Sequence, residues 1–112
     1  MKAEPTWAVT PEKLQEAVRR LVEAAHPAKV ILFGSWARGD AKPDSDVDLL
    51  VIEEAVTDVR DEATRLYRAL AGLVMAVDIV VAARETFEYW KDTPGNVYYE
   101  AAQDGRVVYE AA

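Results

Sequence analysis

The chain has 112 residues with a formal net charge of −7, and it contains no cysteine and a single histidine, His26. This composition excludes disulfides, thiol catalysis and cysteine-based metal sites, so that any metal is expected to be held by oxygen ligands, as Mg²⁺ is. The acidic balance also argues against stable binding of duplex nucleic acid.

Length and hydropathy predict one cytoplasmic domain. A chain of this length suits a single domain over residues 1–112, and hydrophobic residues make up 51% of it, enough for a core. No apolar run approaches the 18 or so residues of a membrane span, and no secretory signal opens the chain. We therefore expect no membrane association.

The first third of the chain predicts an arm, a helix and a strand. Met1–Val9 is expected to be loosely held, and Thr10 to cap a helix with Pro11 at its first position. The helix should end at His26-Pro27. Its apolar face recurs every three or four residues and comprises Leu14, Ala17, Val18, Leu21, Val22 and Ala25.

The stretch that organises the rest runs from residue 29 to residue 52. Lys29–Phe33 reads as a strand, Gly34-Ser35 as a tight turn, and Trp36–Arg38 as a helical turn. A polar loop, Gly39–Ser45, leads to a second strand at Asp46–Ile52. This unit places a small, flexible turn and an acidic pair at the boundaries of two neighbouring strands.

The second half predicts further helices and strands. A long amphipathic helix is expected over Thr57–Leu73 and a third strand over Val74–Val81. Two short helices, Glu85–Trp90 and Asn96–Gln103, should precede a last strand at Arg106–Glu110. The pattern indicates an α/β (α+β) domain with a two-layer arrangement, in which helices cover one face of the sheet.

That arrangement would leave the other face of the sheet open. By alternation, this face would carry Leu50, Ile52 and Val80 beside the acidic residues. An exposed apolar surface next to a charged site predicts a partner subunit.

Three aspartates carry the chemistry that the sequence suggests. Asp46 and Asp48 lie two apart on one strand and so share a face, and Asp78 interrupts an otherwise apolar strand. Such carboxylates can hold one or two Mg²⁺ ions, which clamp a phosphoryl group during displacement. An exposed position for Asp78 is the alternative.

The turn after the first strand suggests phosphate binding. Gly34 allows the backbone to approach a phosphate closely, and Ser35 offers a hydroxyl and an amide at the start of a helical turn. Arg38 can form a forked contact, and Lys42 is a weaker candidate. Alone, Ser35 could be a helix cap and Arg38 a solvated charge.

Taken together, these residues resemble a known signature. Gly34-Ser35, ten intervening residues, Asp46-Val47-Asp48 and the later Asp78 resemble the DNA polymerase β-type nucleotidyltransferase superfamily. The short length of the chain and the sequences of residues 34–40 and 44–51 resemble the minimal nucleotidyltransferase (MNT) branch of that superfamily. MntA-like antitoxins of HEPN/MNT toxin–antitoxin pairs belong to this branch. The resemblance covers nearly the whole chain.

The resemblance implies a mixed sheet of the polymerase β-like nucleotidyltransferase fold and a role for each residue. Asp46 and Asp48 would coordinate two Mg²⁺ ions, and Asp78 would complete the catalytic metal site and help to activate the attacking hydroxyl. Gly34 and Ser35 would hold the β- and γ-phosphates with help from Arg38. The reaction would transfer a nucleoside monophosphate, AMP from ATP, to a hydroxyl of a partner protein. The implied partner is a HEPN-domain ribonuclease toxin.

Two other functions stay open at this point. The chain could be a steric binding subunit of a HEPN-type partner, with catalysis marginal. It could also be a nucleotidyltransferase toward a small molecule such as an aminoglycoside, although such proteins usually carry an additional helical domain. A homo- or hetero-oligomer is compatible with each of these functions.

Overall fold

The computed structural model describes residues 5–112 of the chain. Within that range, no helix is both long and apolar enough to cross a membrane. The elements, in chain order, are α1 (Pro11–Ala25), β1 (Lys29–Phe33), α2 (Ser35–Arg38), β2 (Val47–Glu53), α3 (Val59–Ala69), β3 (Val77–Ala83), α4 (Arg84–Trp90), α5 (Val97–Asp104) and β4 (Arg106–Glu110).

Helix α1 forms as its sequence predicts. The Thr10 hydroxyl accepts a hydrogen bond from the backbone N–H of Lys13 at 3.1 Å, which satisfies one of the free donors of the first turn. At the other end, His26 adopts a left-handed conformation, with φ of 45°, and its N–H donates to the carbonyl of Val22. His26 therefore ends the helix, because its conformation closes the last turn.

The four strands form one mixed sheet in the order β3-β2-β1-β4. Strand β1 is antiparallel to both β2 and β4, whereas β2 and β3 are parallel and are connected through α3. The α+β class and the mixed sheet predicted from the sequence are confirmed. The parallel pair matters for function because it sets the two strands that carry aspartates side by side.

The layering differs from the prediction, because helices cover both faces of the sheet. Helices α1 and α3 pack on one face through Leu21 and Leu66. Helices α4 and α5 pack on the other through Phe87 and Ala101. The apolar residues expected to lie exposed on that second face are largely covered: Leu50 and Ile52 are buried, and Val80 is partly buried. The two short helices were predicted as elements but not as a covering layer, since their few apolar positions give little periodic signal.

The bounds of two predicted elements were also wrong. Helix α3 was expected over Thr57–Leu73, but the Asp58 side chain caps its start at Val59, and a left-handed glycine, Gly72, follows its end. Strand β3 was expected from Val74, but it pairs with β2 only from Val77 onward. Residues 70–76 therefore form a connection, which places Asp78 near the beginning of its strand.

The prediction of a loosely held arm over Met1–Val9 falls partly outside the described residues, which begin at position 5. Residues 5–9 are held against the domain. Ala8 is buried, and the Lys13 ammonium donates to the carbonyls of Thr6 and Ala8. These contacts tie the segment to the first turn of α1.

Candidate active site

The turn between β1 and α2 is shaped by a glycine that cannot be replaced without conflict. Gly34 has φ of 73°, a conformation that side chains disfavour, and a Cβ atom built there would collide with Oδ2 of Asp48. The carbonyl of Gly34 accepts hydrogen bonds from the N–H groups of Ala37 and Arg38 at 3.1 Å each. These bonds fold Ser35 into the first position of the helical turn α2, directly after Gly34.

The strand register brings the acidic residues to the same end of the sheet. Asp48 in β2 lies opposite Asp78 in β3 and, on its other side, opposite Phe33, the last residue of β1 before the turn. Asp46 is exposed and immediately precedes β2, whereas it was predicted to open that strand. Sequence reasoning therefore grouped these carboxylates on the correct edge.

The electrostatics of Asp48 reflect this crowding. Its pKa is raised, first by burial and then by the negative charges of Asp78, Asp46 and Glu100, while Arg38 acts in the opposite direction. Carboxylates that repel one another in this way bind a proton or a cation favourably. The site thus carries unbalanced negative charge directly against Gly34, where the Asp48 carboxylate occupies the space that a Cβ would fill.

The carboxylates suit a hard cation in chemical type, but they do not form a closed cage. Among residues 5–112, no group of three His, Asp or Glu side chains is gathered closely enough to hold a metal ion by itself. Mg²⁺ is usually bound by one or two carboxylates together with substrate phosphates. The oxygen donors of Asp46, Asp48 and Asp78 fit that mode, in which the ion arrives with the nucleotide.

Asp78 is held by a tyrosine from α3. The Tyr67 hydroxyl donates to Oδ1 of Asp78 at 3.2 Å and accepts the backbone N–H of Ile79 at 2.8 Å. Burial, followed by the negative charge of Asp78, raises the pKa of Tyr67, although the N–H of Ile79 opposes this, so the phenol keeps its proton near neutral pH. Tyr67 was not among the candidate site residues, because no spacing in the sequence indicates this contact.

Arg38 is engaged by two acidic side chains. Its Nη1 donates to Oε1 of Glu100 on α5 at 3.1 Å, and its Nε donates to Oδ2 of Asp40 at 3.4 Å. The side chain of Arg38 is 42% exposed, so these pairs are open to water and to competition. Glu100 is an acidic residue of the site that sequence reasoning missed, because it lies 62 positions from Arg38 on an element with no motif.

Trp36 braces the loop that leads to the acidic strand. Its indole N–H donates to the carbonyl of Ser45 at 2.9 Å, and its ring is partly buried against the core. The backbone N–H of Lys42 donates to the Ser45 hydroxyl at 2.9 Å, which closes the same loop. Trp36 therefore connects the turn after β1 to the residue directly before Asp46.

The candidate site is thus a glycine–serine turn that lies against carboxylates on two adjacent strands of an α+β domain. The chain belongs to the nucleotidyltransferase domain family, whose model matches residues 11–105. The family resemblance and the enzyme class predicted from the sequence are thereby confirmed.

Relatives of known sequence or structure agree with this assignment. A relative from Methanocaldococcus jannaschii, named "Putative protein adenylyltransferase", is 34% identical over 82 residues, which cover 72% of this chain and 77% of the relative. A structure from Sulfolobus solfataricus described as a nucleotidyltransferase has a TM-score of 0.56 at 20% identity, covering 98% of this chain and 92% of its own.

Two toxin–antitoxin structures share the fold. One, solved with AMP-PNP, has a TM-score of 0.60 at 17% identity and covers 87% of this chain and 73% of its own. The other, a variant of the pair MntA-HpeT, has a TM-score of 0.57 at 14% identity and covers 88% of this chain and 73% of its own. At these identities, the likeness establishes the fold.

Proposed function

We propose that this enzyme transfers AMP from ATP to a hydroxyl group of a partner protein in a Mg²⁺-dependent reaction, and that residues 1–112 form a single minimal nucleotidyltransferase domain. The observation that carries the proposal is the register of β2 and β3, which sets Asp48 opposite Asp78 beside the Gly34-Ser35 turn. This arrangement sets carboxylate oxygens directly beside the turn whose Ser35 hydroxyl and N–H groups would bind the phosphate chain.

Asp46, Asp48 and Asp78 are the residues that would hold Mg²⁺. When bound, the metal would supply positive charge to offset the charge that develops on the transferred phosphate and the leaving pyrophosphate. The raised pKa of Asp48 supports this assignment, because nearby negative charges that raise it would be offset by a cation.

The remaining residues orient the nucleotide. Gly34 admits the phosphates close to the backbone, and Ser35 and Arg38 would bind the β- and γ-phosphates. For Arg38, this requires exchange of its ion pair with Glu100 for the phosphates. Because the pair is exposed, the exchange costs little.

The chemistry is an in-line displacement at the α-phosphorus. The acceptor oxygen forms a bond to the α-phosphorus, and the bond from that phosphorus to the α,β-bridging oxygen of ATP breaks, so that this oxygen leaves with pyrophosphate. Asp78 would receive the acceptor proton as a general base. Its exposed position on an edge strand supports this role, since an incoming protein hydroxyl can reach it.

The nature of the acceptor is supported by the relatives. The M. jannaschii relative carries a protein adenylyltransferase name, and two structural neighbours are toxin–antitoxin complexes, one of them with AMP-PNP. We infer that the partner is a HEPN-domain toxin and that this chain acts as its antitoxin by adenylylating it. Magnesium and ATP are the expected cofactor and donor.

Labelled ATP tests the proposal. The purified protein, incubated with Mg²⁺ and the co-expressed candidate toxin, should transfer label from the α-phosphate to the toxin, and an Asp46→Ala variant should transfer none. Transfer from the γ-phosphate would indicate a kinase and contradict the proposal. A stable complex without label from either position would indicate a steric binding subunit.

A further inference from the structure

The Tyr67 hydroxyl lies between the backbone N–H of Ile79 and the carboxylate of Asp78, the group that the proposed chemistry needs. A phenol has one proton to donate, and here it also accepts the N–H of Ile79 at 2.8 Å. With the Ile79 N–H directed at its oxygen, the phenol directs its own proton to Oδ1 of Asp78, 3.2 Å away. The contact therefore has a defined direction, from Tyr67 to the carboxylate.

Asp78 needs such a restraint because of where it lies. Strand β3 is at the edge of the sheet, and Asp78 is exposed near the beginning of that strand. An exposed aspartate on an edge strand would otherwise sample several side-chain rotamers, and fixing one of them when a ligand binds costs conformational entropy. A carboxylate held through Oδ1 has fewer rotamers open to it, and it lies opposite Asp48 in the register of the two strands.

We propose that Tyr67 is a positioning residue that fixes Asp78 in the orientation required to bind metal and to receive the acceptor proton. The inference rests on the proposed function and extends it to a residue outside the Gly-Ser and Asp-x-Asp motifs. Partners that hydrogen-bond a metal-binding carboxylate orient it, and their loss typically weakens metal affinity or activity by about 10- to 100-fold. Tyr67 is 42% exposed, so removal of its hydroxyl leaves its ring packing largely unchanged.

The test measures metal binding directly, without the acceptor. Mn²⁺ would be titrated into the full-length protein in the presence of saturating α,β-methylene-ATP, and free Mn²⁺ would be followed by electron paramagnetic resonance. The variants are Tyr67→Phe, Asp78→Asn, the double variant, and Tyr89→Phe, whose tyrosine is 73% exposed on α4. A cooperative melting transition for each variant establishes that it is folded.

The proposal predicts a specific pattern. Tyr67→Phe should weaken Mn²⁺ binding about tenfold, Tyr89→Phe should match the wild type, and Tyr67→Phe should add nothing once Asp78 is Asn. In transfer assays with the toxin, Tyr67→Phe should lower kcat with little change in KM for ATP.

Three results would overturn it. Wild-type Mn²⁺ affinity in Tyr67→Phe, with affinity lost in Asp78→Asn, would refute the role of Tyr67 and leave the proposed function intact. A wild-type protein that binds no Mn²⁺ would overturn both. Adenylylation of Tyr67 itself, detected by mass spectrometry, would make this residue an acceptor rather than a positioning group.

Discussion

Strand β2 carries acidic side chains at both ends, Asp48 at the near end beside the candidate site and Glu53 at the far end, and the two ends balance their charge differently. At the far end, Arg65 binds both oxygens of Glu62, at 2.9 and 2.7 Å, and lowers the pKa of Glu62 to about 2. Burial, together with a hydrogen bond to Glu62, raises the pKa of the neighbouring Glu53 to about 7. At this end an arginine offsets the charge of Glu62, and the raised pKa keeps Glu53 partly protonated near neutral pH, although its Oε2 is buried without a hydrogen-bond partner.

The near end has no comparable internal balance. The pKa of Asp48 is raised by burial, Asp78 and Asp46, and the arginine that opposes this, Arg38, is itself paired with Glu100. Unbalanced charge beside an open turn is typical of a site that completes itself with a ligand. The comparison teaches that the charge at the far end of β2, the closed end, is offset by an arginine paired within the fold. The carboxylates at the near end, the open end, lack such a pair, as the proposed function requires.

The largest expected effect comes from removing the negative charge of Asp48 at the near end. Asp48→Asn should lower AMP transfer by at least about a hundredfold, the scale seen when a group that stabilises transition-state charge is lost. The same change should raise the melting temperature, because a carboxyl with a raised pKa destabilises the folded state once it is ionised. Transfer assays and thermal melts at pH 7 measure the two effects.

Asp44→Asn is the matched control for that prediction. Asp44 is an exposed carboxylate in the loop before β2, and its replacement should change neither quantity appreciably. If Asp48→Asn instead destabilised the protein as it lost activity, the near end would be structurally balanced and the comparison would fail.

The next effect concerns the turn that faces Asp48. Gly34→Ala should cost about 1–3 kcal/mol for a backbone conformation, φ 73° and ψ −157°, that glycine alone adopts readily, and its Cβ would also displace the Asp48 carboxylate. Gly72→Ala is the matched control, because Gly72 has a similar φ of 84° but open space around a Cβ. Urea unfolding should therefore show a larger loss for Gly34→Ala, and Mg²⁺-ATP should stabilise only the Gly72 variant. Equal losses would mean that Asp48 does not constrain the turn.

Much of the site was predictable because its residues are close in sequence or lie on strands of clear pattern. The Gly34-Ser35 turn and the Asp46-Val47-Asp48 run follow directly from the limits of β1 and β2. Asp78 was singled out because it interrupts an apolar strand; the structure leaves it exposed, as the alternative held, and also sets it opposite Asp48. Local physics determines all of these positions.

The parts that could not be predicted depend on tertiary contacts. Glu100 and Tyr67 reach the site from helices whose sequences favour no particular function, and only the packing of those helices brings them there. The cover of the second sheet face was missed for a similar reason. Phe87 and Ala101 lie on helices of seven and eight residues, too short to show a clear period, and both are buried against the second face of the sheet.

A smaller effect tests the closed end of the strand. Because the folded state raises the pKa of Glu53 from 4.5 to about 7, the stability that this group contributes is complete below pH 4.5 and is lost as the pH rises through 7. Glu53→Gln retains a donor for Glu62 and cannot ionise. It should therefore match the wild type near pH 4.5 and exceed its unfolding free energy at pH 8 by about 1 kcal/mol, after allowance for solvent screening.

Denaturant unfolding at the two pH values measures this difference. Glu85→Gln, at an exposed carboxylate of α4, is the control and should show no pH-dependent gain. A Glu53→Gln variant with the same gain at both pH values would show that Glu53 does not hold a proton in the folded state.

The smallest effect concerns Arg38, the cation that the open end shares with α5. Glu100→Gln should release Arg38 toward the nucleotide and remove a negative charge that raises the pKa of Asp48. Since exposed ion pairs are worth about 0.2–1 kcal/mol, the affinity for Mg²⁺-ATP should rise by at most about fivefold. Calorimetric titration would measure this change in affinity.

Glu54→Gln is the control, because it breaks a similar exposed pair with Arg84 at the closed end and should leave the affinity for Mg²⁺-ATP unchanged. Weaker nucleotide binding in Glu100→Gln would instead mean that Glu100 holds Arg38 in its binding position, so that the open end would be partly organised by α5 before the nucleotide arrives.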